Sequence, residues 1–169
     1  SGATSVSVPF NEPALFSSAS TEWSTPQALF DALAEELGPF ELDAAASPDN
    51  AKCERFFSVE DDALTKDWHV HRRVWLNPPY GRGISAWVQK SYEESLKGCR
   101  VVVLTMARTD TLWWQRWATR AAQIQFIRGR VWFLQGGEQV GPGTAPSAVL
   151  VFDEELRQPV VSYVVLPRR

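Results

Sequence analysis

A short apolar run that stops at two consecutive prolines is the feature that most constrains how this chain can fold. Val74-Trp75-Leu76 is typical of a buried strand, and Asn77-Pro78-Pro79-Tyr80 follows it directly. Two prolines fix two φ angles and remove two N–H donors, so the backbone can continue neither as a helix nor as a paired strand. The sequence therefore predicts a strand that ends in a rigid loop, as strands of open α/β sheets do where they bind ligands.

The polar groups of this loop suit a flat ligand that carries an amino group. We expect the Asn77 amide and the neighbouring carbonyls to point outward, where they would accept the two N–H bonds of such an amine. The Tyr80 ring would stack on the face of the ligand. An adenine extruded from a duplex has this shape. The alternative interpretation is a simple turn, which is what most Pro-Pro pairs form.

Helical and strand patterns alternate along the chain. A cap at Ser24 or Thr25 would start a helix that ends at Gly38, a second helix is expected between Ile84 and Gly98, and a third after a cap at Thr109 or Asp110. Strands are predicted at 40–43, 56–57, 74–77, 101–104, 124–127, 131–134, 148–152 and 160–165. This order predicts an α/β fold with a mostly parallel sheet and an antiparallel C-terminal part.

Composition indicates one globular domain. The chain has 169 residues, of which 44% are apolar, and no apolar stretch is long enough for a membrane helix. We therefore expect a single domain at 21–169 after a loosely ordered lead-in at 1–20, no membrane partner, and a location in the cytoplasm. Residues 1–67 carry a net charge of −10, whereas residues 68–169 carry +7. The basic second half suits a polyanion such as a phosphate backbone, although a merely solvated surface is the alternative.

The positions of the cysteines and histidines limit which metal sites and reactions the sequence indicates. Cys53 and Cys99 are far apart and form no CxxC pair, so neither a disulfide framework nor a zinc site is indicated. Methylation of a cytosine ring would need a nucleophilic cysteine in the catalytic loop, and neither cysteine is near it in sequence. His69 and His71 have no third ligand nearby in sequence, so we expect surface histidines and no metal.

The order of several short motifs resembles the phage-type DNA adenine methyltransferases of the Dam-like family, which use S-adenosylmethionine. The resemblance runs from about Trp23 to Phe133, through Trp23-Ser24-Thr25-Pro26, Leu42-Asp43-Ala44-Ala45-Ala46, Asn50-Ala51-Lys52-Cys53, Asp62-Ala63-Leu64, Asn77-Pro78-Pro79-Tyr80-Gly81 and Gly129-Arg130-Val131-Trp132-Phe133. It implies a Rossmann-like methyltransferase sheet. Because only 33 residues separate Asp43 from Asn77, this sheet must be pared down.

The resemblance also implies roles for individual residues. Its cofactor would be S-adenosylmethionine, leaving S-adenosylhomocysteine as product, and the candidate cofactor-binding residues are Trp23, Thr25, Pro26, Asp43, Ala44, Ala45, Asn50, Asp62 and Asn77. Trp23 and Thr25 would touch the methionine end, and Asp62 would accept from the adenine amino group. Ala44 to Ala46 replace the usual Gly-rich loop, so the ribose contact has three candidates, Asn50, Glu60 and Asp61.

The implied reaction is methyl transfer to the amino group of an adenine in double-stranded DNA. Asn77, Pro78, Pro79 and Tyr80 would be the catalytic residues, and Tyr80, Arg82, Arg108 and Arg130 would hold the base and the strand. The protein would be phage or prophage encoded and act in the cytoplasm of a bacterial host. Three alternatives stay open: an RNA substrate, a protein glutamine substrate, and a catalytically silent DNA-binding module. The DNA sequence could be recognised by loops of a single molecule or by a homodimer, and both possibilities stay open as well.

Overall fold

The structure, a computed structural model, describes residues 23–81, 83–143, 145–156 and 160–165. The predicted lead-in at 1–20 and the candidate Arg82 lie outside these residues. The helices are α1 (Gln27–Leu37), α2 (Ile84–Ser95) and α3 (Leu112–Arg116). The strands are β1 (Leu42–Asp43), β2 (Arg55–Phe56), β3 (Arg73–Leu76), β4 (Arg100–Met106), β5 (Gln123–Arg128), β6 (Trp132–Gln135), β7 (Glu138–Pro142), β8 (Ser147–Phe152) and β9 (Val160–Val165).

Seven of these strands form one sheet in the order β2-β1-β3-β4-β8-β5-β9. The pairs β1–β2, β1–β3, β3–β4 and β5–β9 are parallel, whereas β8 runs antiparallel to both of its neighbours. The predicted α/β fold with an antiparallel C-terminal part is therefore confirmed. Because β1, β3 and β4 are parallel, their carboxyl ends meet at one edge of the sheet, which we call the carboxyl edge.

Alternate residues of the central strands supply two cores, one on each face of the sheet. On one face Trp75, Val102 and Leu104 pack under α1, and Phe30 meets the Trp75 ring edge-on at 5.2 Å. On the other face Val74, Leu76 and their neighbours pack under α2 and α3. This double coverage explains the near-continuous apolar runs of β3 and β4, since a strand buried on both faces has no polar side.

The connection from β1 to β3 contains no α-helix. Between them the chain forms only the short strand β2 and 3-10 turns at Val59–Asp61 and Ala63–Thr65. The short spacing between Asp43 and Asn77 was thus a correct indication that this part of the chain has no room for full strand–helix units. Within the described ranges no helix is long and apolar enough to cross a bilayer.

Two local predictions were wrong, and one strand was missed. Pro26 is the N-cap of α1 and neither Ser24 nor Thr25 caps it with a side chain. α3 begins later than expected, after Thr111, whose hydroxyl accepts from the Trp114 N–H at 3.4 Å. The second strand of the β6–β7 hairpin was not predicted at all.

Candidate active site

The Asn77–Tyr80 loop leaves β3 at the carboxyl edge, as the sequence predicted. Pro78 is buried and the other three residues are half-buried. Contrary to expectation, both polar atoms of the Asn77 side chain are engaged by the protein itself. Its Nδ2 donates to the Trp23 carbonyl at 3.1 Å, and its Oδ1 accepts from the Tyr80 hydroxyl at 2.9 Å.

Trp23 reaches Asn77 because the segment before α1 pairs with the hairpin. The Ser24 N–H donates to the Leu134 carbonyl at 2.7 Å, and the Leu134 N–H donates back at 2.9 Å. The Phe133 ring meets the Trp23 and Tyr80 rings edge-on, at 6.0 and 6.2 Å. Such long-range pairing leaves no trace in the local sequence pattern, which is why the sequence did not predict that the protein itself bonds both ends of the Asn77 amide.

A cavity of about 210 Å³ opens beside the loop. Its lining is mostly apolar. The lining residues include Pro79 and Tyr80 of the loop, Asp62, and Ala44, Ala45, Ala46, Phe57, Val59, Leu64 and Trp87. The three alanines allow close approach to the backbone because their side chains end at Cβ. The cavity therefore suits a flat apolar group with a polar contact at one end.

The Ala44–Ala46 segment is held in place by hydrogen bonds from three directions. The Ala44 N–H donates to the Trp75 carbonyl and the Ala46 N–H to the Phe57 carbonyl, both at 2.9 Å. Asp43 lies behind the segment, where its carboxylate accepts from the N–H groups of Ala45 and Lys52 at 3.3 and 3.0 Å. A rigid segment at this position can shape a binding surface with backbone atoms alone.

Asp43 is buried and lines neither this cavity nor the smaller one described below. Burial raises the pKa of its carboxyl from 3.8 to about 7, although the N–H groups of Lys52 and Ala45 donate to it. The structure thus shows the Asp43 carboxylate supporting the Ala44–Ala46 segment. Its predicted contact with a cofactor stays a prediction.

Asp62 has a strained backbone. Its φ of 52° lies in the left-handed region, which non-glycine residues rarely occupy. The residue joins the two 3-10 turns and is exposed at the cavity. Strain of this kind is found at ligand-binding positions more often than elsewhere, which fits the acceptor role predicted for Asp62.

The two acidic residues before Asp62 differ in position. Asp61 accepts from the Ser58 N–H at 2.7 Å and from the Ser58 hydroxyl at 3.1 Å, and these bonds lower its pKa. Asp61 thereby closes the turn that presents Ser58 to the cavity, while Glu60 is exposed and does not line it.

A second, smaller cavity adjoins the first at Ala45. It has a volume of about 10 Å³ and is lined by Trp23, Ser24, Thr25, Ala45, Asn50, Lys52, Trp75 and Asn77. Thr25 is 2% exposed, and its hydroxyl has no hydrogen-bond partner in the described part of the chain. Asn50 Oδ1 accepts from the Ser47 N–H at 2.8 Å. The motif residues Trp23, Thr25, Asn50 and Asn77 are therefore brought together, whereas Pro26 starts α1 outside both cavities.

Two predicted phosphate-binding residues lie at the carboxyl edge. Arg108 follows β4 and Arg130 follows β5, and both are exposed. Since β5 runs in the same direction as β4, the two arginines are on the same side of the sheet as Asn77.

A cluster that could hold a metal was missed in the sequence. Asp67, His69 and Glu94 place one ligand atom each within 4.8 Å of one another. The expectation that His69 has no third ligand nearby is therefore wrong. However, the buried Glu94 carboxylate already accepts from Lys90, Lys97, the His69 ring and the N–H groups of Trp68 and His69. This arrangement is that of an ion-pair network joining α2 to residues 67–69.

Comparison with known proteins places these motifs in a family. The family model described as DNA N-6-adenine-methyltransferase (Dam) matches residues 14–169. A DNA N-6-adenine-methyltransferase of Escherichia phage T1 is 37% identical over 105 residues, which are 62% of this chain and 44% of that protein. One from Haemophilus phage HP1 is 27% identical over 135 residues, 78% of each chain. A putative methyltransferase of Escherichia coli K12, YfdM, is 38% identical over 64 residues, 35% of this chain and 70% of that protein.

The chain thus spans less than half of the phage T1 relative and about four fifths of the phage HP1 relative. Among solved structures, a predicted O-methyltransferase from Agrobacterium tumefaciens matches at 16% identity with a TM-score of 0.38, covering 70% of this chain and 57% of that one. That score is too low to support any conclusion about the fold beyond the strand order described above. The family match covers nearly the whole chain, and this protein belongs to the DNA N-6-adenine-methyltransferase (Dam) family.

Proposed function

We propose that this protein methylates the exocyclic amino group of adenine in double-stranded DNA, with S-adenosylmethionine as the methyl donor. One observation carries the proposal: two cavities adjoin at Ala45, and each of them reaches the Asn77–Tyr80 loop. A methyl donor and an acceptor amine have to meet at one point, and the loop is the feature common to both cavities.

The residues present fit S-adenosylmethionine. The larger cavity has apolar walls for an adenine ring, and Asp62 in its lining would accept from the amino group of that ring. The unpartnered Thr25 hydroxyl, the Asn50 amide and the Lys52 side chain line the smaller cavity, which at about 10 Å³ would take one small polar group of the cofactor's amino-acid end. Trp23 and Thr25 would hold that end, Ala44 and Ala45 would support the nucleoside, and Asp62 would bind the adenine. When bound, the cofactor supplies a methyl group from a positively charged sulfonium sulfur. This sulfur becomes neutral when the methyl group leaves it.

Asn77 would prepare the acceptor amine for attack. The lone pair of an adenine amino group is delocalised into the ring, which makes it a poor nucleophile. Hydrogen bonds from its two N–H groups to Asn77 Oδ1 and the Pro78 carbonyl would draw the nitrogen toward tetrahedral geometry and hold it in line for transfer. Oδ1 has two lone pairs, so it can accept from the amine while it keeps the bond from Tyr80.

The Tyr80 ring and the basic residues would capture the base. Tyr80 lines the larger cavity, where its ring offers a stacking face. Extrusion of a base costs a few kcal/mol, so the strand must be held by phosphate contacts, for which we propose Arg82, Arg108 and Arg130. The site does not need a cysteine nucleophile, because the methyl group would pass directly to nitrogen.

Methyl transfer from labelled S-adenosylmethionine tests the proposal. Purified protein would be incubated with duplex DNA, RNA and a glutamine-containing protein, and labelled DNA would be hydrolysed to identify the modified base. We expect label in N6-methyladenine from DNA alone. Labelling of RNA or protein alone would favour those substrates, and salt-sensitive DNA binding with no cofactor binding in calorimetry would identify a silent DNA-binding module.

Asn77→Ala tests whether the Asn77–Tyr80 loop is the active site. Loss of an acceptor that acts in the transition state should lower the methylation rate by about 10²- to 10³-fold. Cofactor affinity and thermal stability should also fall, but by far less than the rate, because Asn77 lines the smaller cavity and bonds Trp23 and Tyr80. Gln89→Ala, at a half-buried position of α2 whose side chain donates to Glu93 and lines neither cavity, is the matched control and should retain full activity. An Asn77→Ala variant as active as Gln89→Ala would contradict the assignment of the site.

A further inference from the structure

The Asn77 amide is held from two sides, and we call this arrangement the amide clamp: the Trp23 carbonyl accepts from Nδ2 at 3.1 Å, and the Tyr80 hydroxyl donates to Oδ1 at 2.9 Å. A carbonyl oxygen can only accept, so the nitrogen of the amide must face Trp23. The two contacts together fix which end of the amide is the oxygen.

Tyr80 is suited to the donor position of the clamp. A phenol of ordinary pKa is protonated at neutral pH, and burial raises the pKa of Tyr80 further, so the hydroxyl has a proton to donate. The same hydroxyl lies 3.3 Å from the Leu104 carbonyl, a second acceptor that favours the inward position of the ring. The hydroxyl thus serves a different purpose from the ring face that lines the cavity.

Orientation of this amide matters for the proposed chemistry. Oδ1 has to accept from the substrate amine, and a rotated amide would instead turn its own N–H bonds toward the N–H bonds of the substrate. Two donors facing each other repel and leave both unpaired, which costs more than the loss of one hydrogen bond. Holding the amide before the base arrives removes this wrong orientation.

The hairpin supports both sides of the clamp. Phe133 on β6 is 2% exposed and contacts the Trp23 and Tyr80 rings at their edges. The neighbouring Leu134 forms the two backbone hydrogen bonds that fix Ser24, next to Trp23. The clamp is therefore built on β6, and does not depend on the loop alone.

We infer that the Tyr80 hydroxyl is a positioning group, which orients the Asn77 amide for methyl transfer independently of any stacking by the Tyr80 ring. This inference rests on the proposed function for its catalytic consequence. The clamp itself is a property of the protein without any ligand and can be tested separately.

Tyr80→Phe separates the two functions because it removes the hydroxyl and keeps the ring. We expect its single-turnover methylation rate to fall roughly 3- to 10-fold, the equivalent of one lost hydrogen bond. The KM for DNA and the affinity for S-adenosylmethionine should stay within twofold of wild type. Tyr80→Ala should show the same loss of rate and a raised KM for DNA, since it also loses the ring. Tyr92→Phe, a tyrosine on α2 packed against Phe152, is the matched control and should behave as wild type.

A second measurement needs no activity. The side-chain NH₂ signals of Asn77, identified by their absence in Asn77→Asp, should shift and broaden in Tyr80→Phe but not in Tyr92→Phe. Phe133→Leu should produce the same change if Tyr80→Phe is too unstable to study. Unchanged Asn77 signals, or a Tyr80→Phe rate equal to wild type, would overturn the inference. A wild-type protein inactive on every substrate would instead refute the proposed function, while the NMR comparison would still decide whether the clamp exists.

Discussion

At the scale of single residues, Thr25 offers the clearest test of cofactor binding. Its hydroxyl is buried without a partner, which costs roughly 1–3 kcal/mol in a protein interior. Thr25→Val keeps the shape of the side chain and removes the unpaired group. We therefore expect the unliganded variant to unfold at the same temperature as wild type or a higher one. If the hydroxyl binds the cofactor, affinity for S-adenosylmethionine should fall about 3- to 10-fold in calorimetry.

Thr105→Val is the control for this comparison. Thr105 is fully buried in β4 with an equally unpartnered hydroxyl, but it lines neither cavity. The Thr105→Val variant should also unfold at the same temperature as wild type or a higher one. Its affinity for the cofactor should equal that of wild type. Equal effects of the two substitutions on affinity would exclude a specific role for Thr25.

Individual site residues could be predicted from the sequence only where a local pattern determines them. The Asn77–Tyr80 loop was predictable because two prolines restrict the backbone regardless of the surroundings. The hydrogen bond from Asn77 to Trp23 was not, since it joins residues 54 positions apart. Thr25 was mistaken for a helix cap because threonine at such a position usually is one; here Pro26 takes that place.

At the scale of elements, Glu94 fixes the end of α2 to the segment before β3. Its side chain is fully buried and accepts from Lys90 and Lys97 at 3.0 and 2.9 Å. Burial by itself raises the pKa of the carboxyl, but hydrogen bonds from Lys97, His69, Lys90 and the Trp68 N–H outweigh it and hold the pKa well below its usual range. The network therefore stabilises the folded protein as long as Glu94 is ionised.

Glu94→Gln should lower the free energy of unfolding by about 3 kcal/mol at pH 7, because it leaves lysines beside a neutral group. The half-exposed Lys97 can turn to solvent, which keeps the loss at the low end for a buried pair. A lowered folded-state pKa means that the advantage of wild type is complete above the ordinary value of 4.5 and shrinks as pH falls below it. Urea unfolding at pH 7 and pH 3 measures both effects. Glu93→Gln, exposed on the same helix, should change neither; a pH-independent difference would contradict the linkage.

Most elements were predictable because their apolar patterns are strong, periodic in α1 and continuous in β4. The β6–β7 hairpin was half missed, although Gly136-Gly137 between its strands was a usable signal. Both glycines have positive φ, 58° and 85°, the conformation of a two-residue hairpin turn. β7 itself contains glycine and proline, which hide a strand from propensity.

At the scale of the whole molecule, the sheet topology brings basic residues from the second half of the chain to the edge that carries Asn77. The second half of the chain carries +7, and Arg108 and Arg130 follow parallel-direction strands onto the carboxyl edge, where Asn77 lies. A duplex bound there would meet basic side chains and the Asn77–Tyr80 loop together. The sequence alone predicted the charge asymmetry but not this placement, because only the strand order decides which loops share an edge.

Salt dependence of DNA binding tests this arrangement. Each phosphate contact adds about 0.9 to the slope of log K against log salt, so Arg130→Ala should reduce the slope by about 0.9 and the Arg108→Ala, Arg130→Ala double variant by about twice that. Arg72→Ala is the matched control, because Arg72 is exposed just before β3 begins, at the opposite edge of the sheet. Fluorescence anisotropy of a labelled duplex over a range of salt concentrations gives the slope for wild type and for each of the three variants. If Arg130→Ala and Arg72→Ala have the same slope, DNA phosphates do not contact the carboxyl edge through Arg130, and the strand must reach Asn77 from another direction.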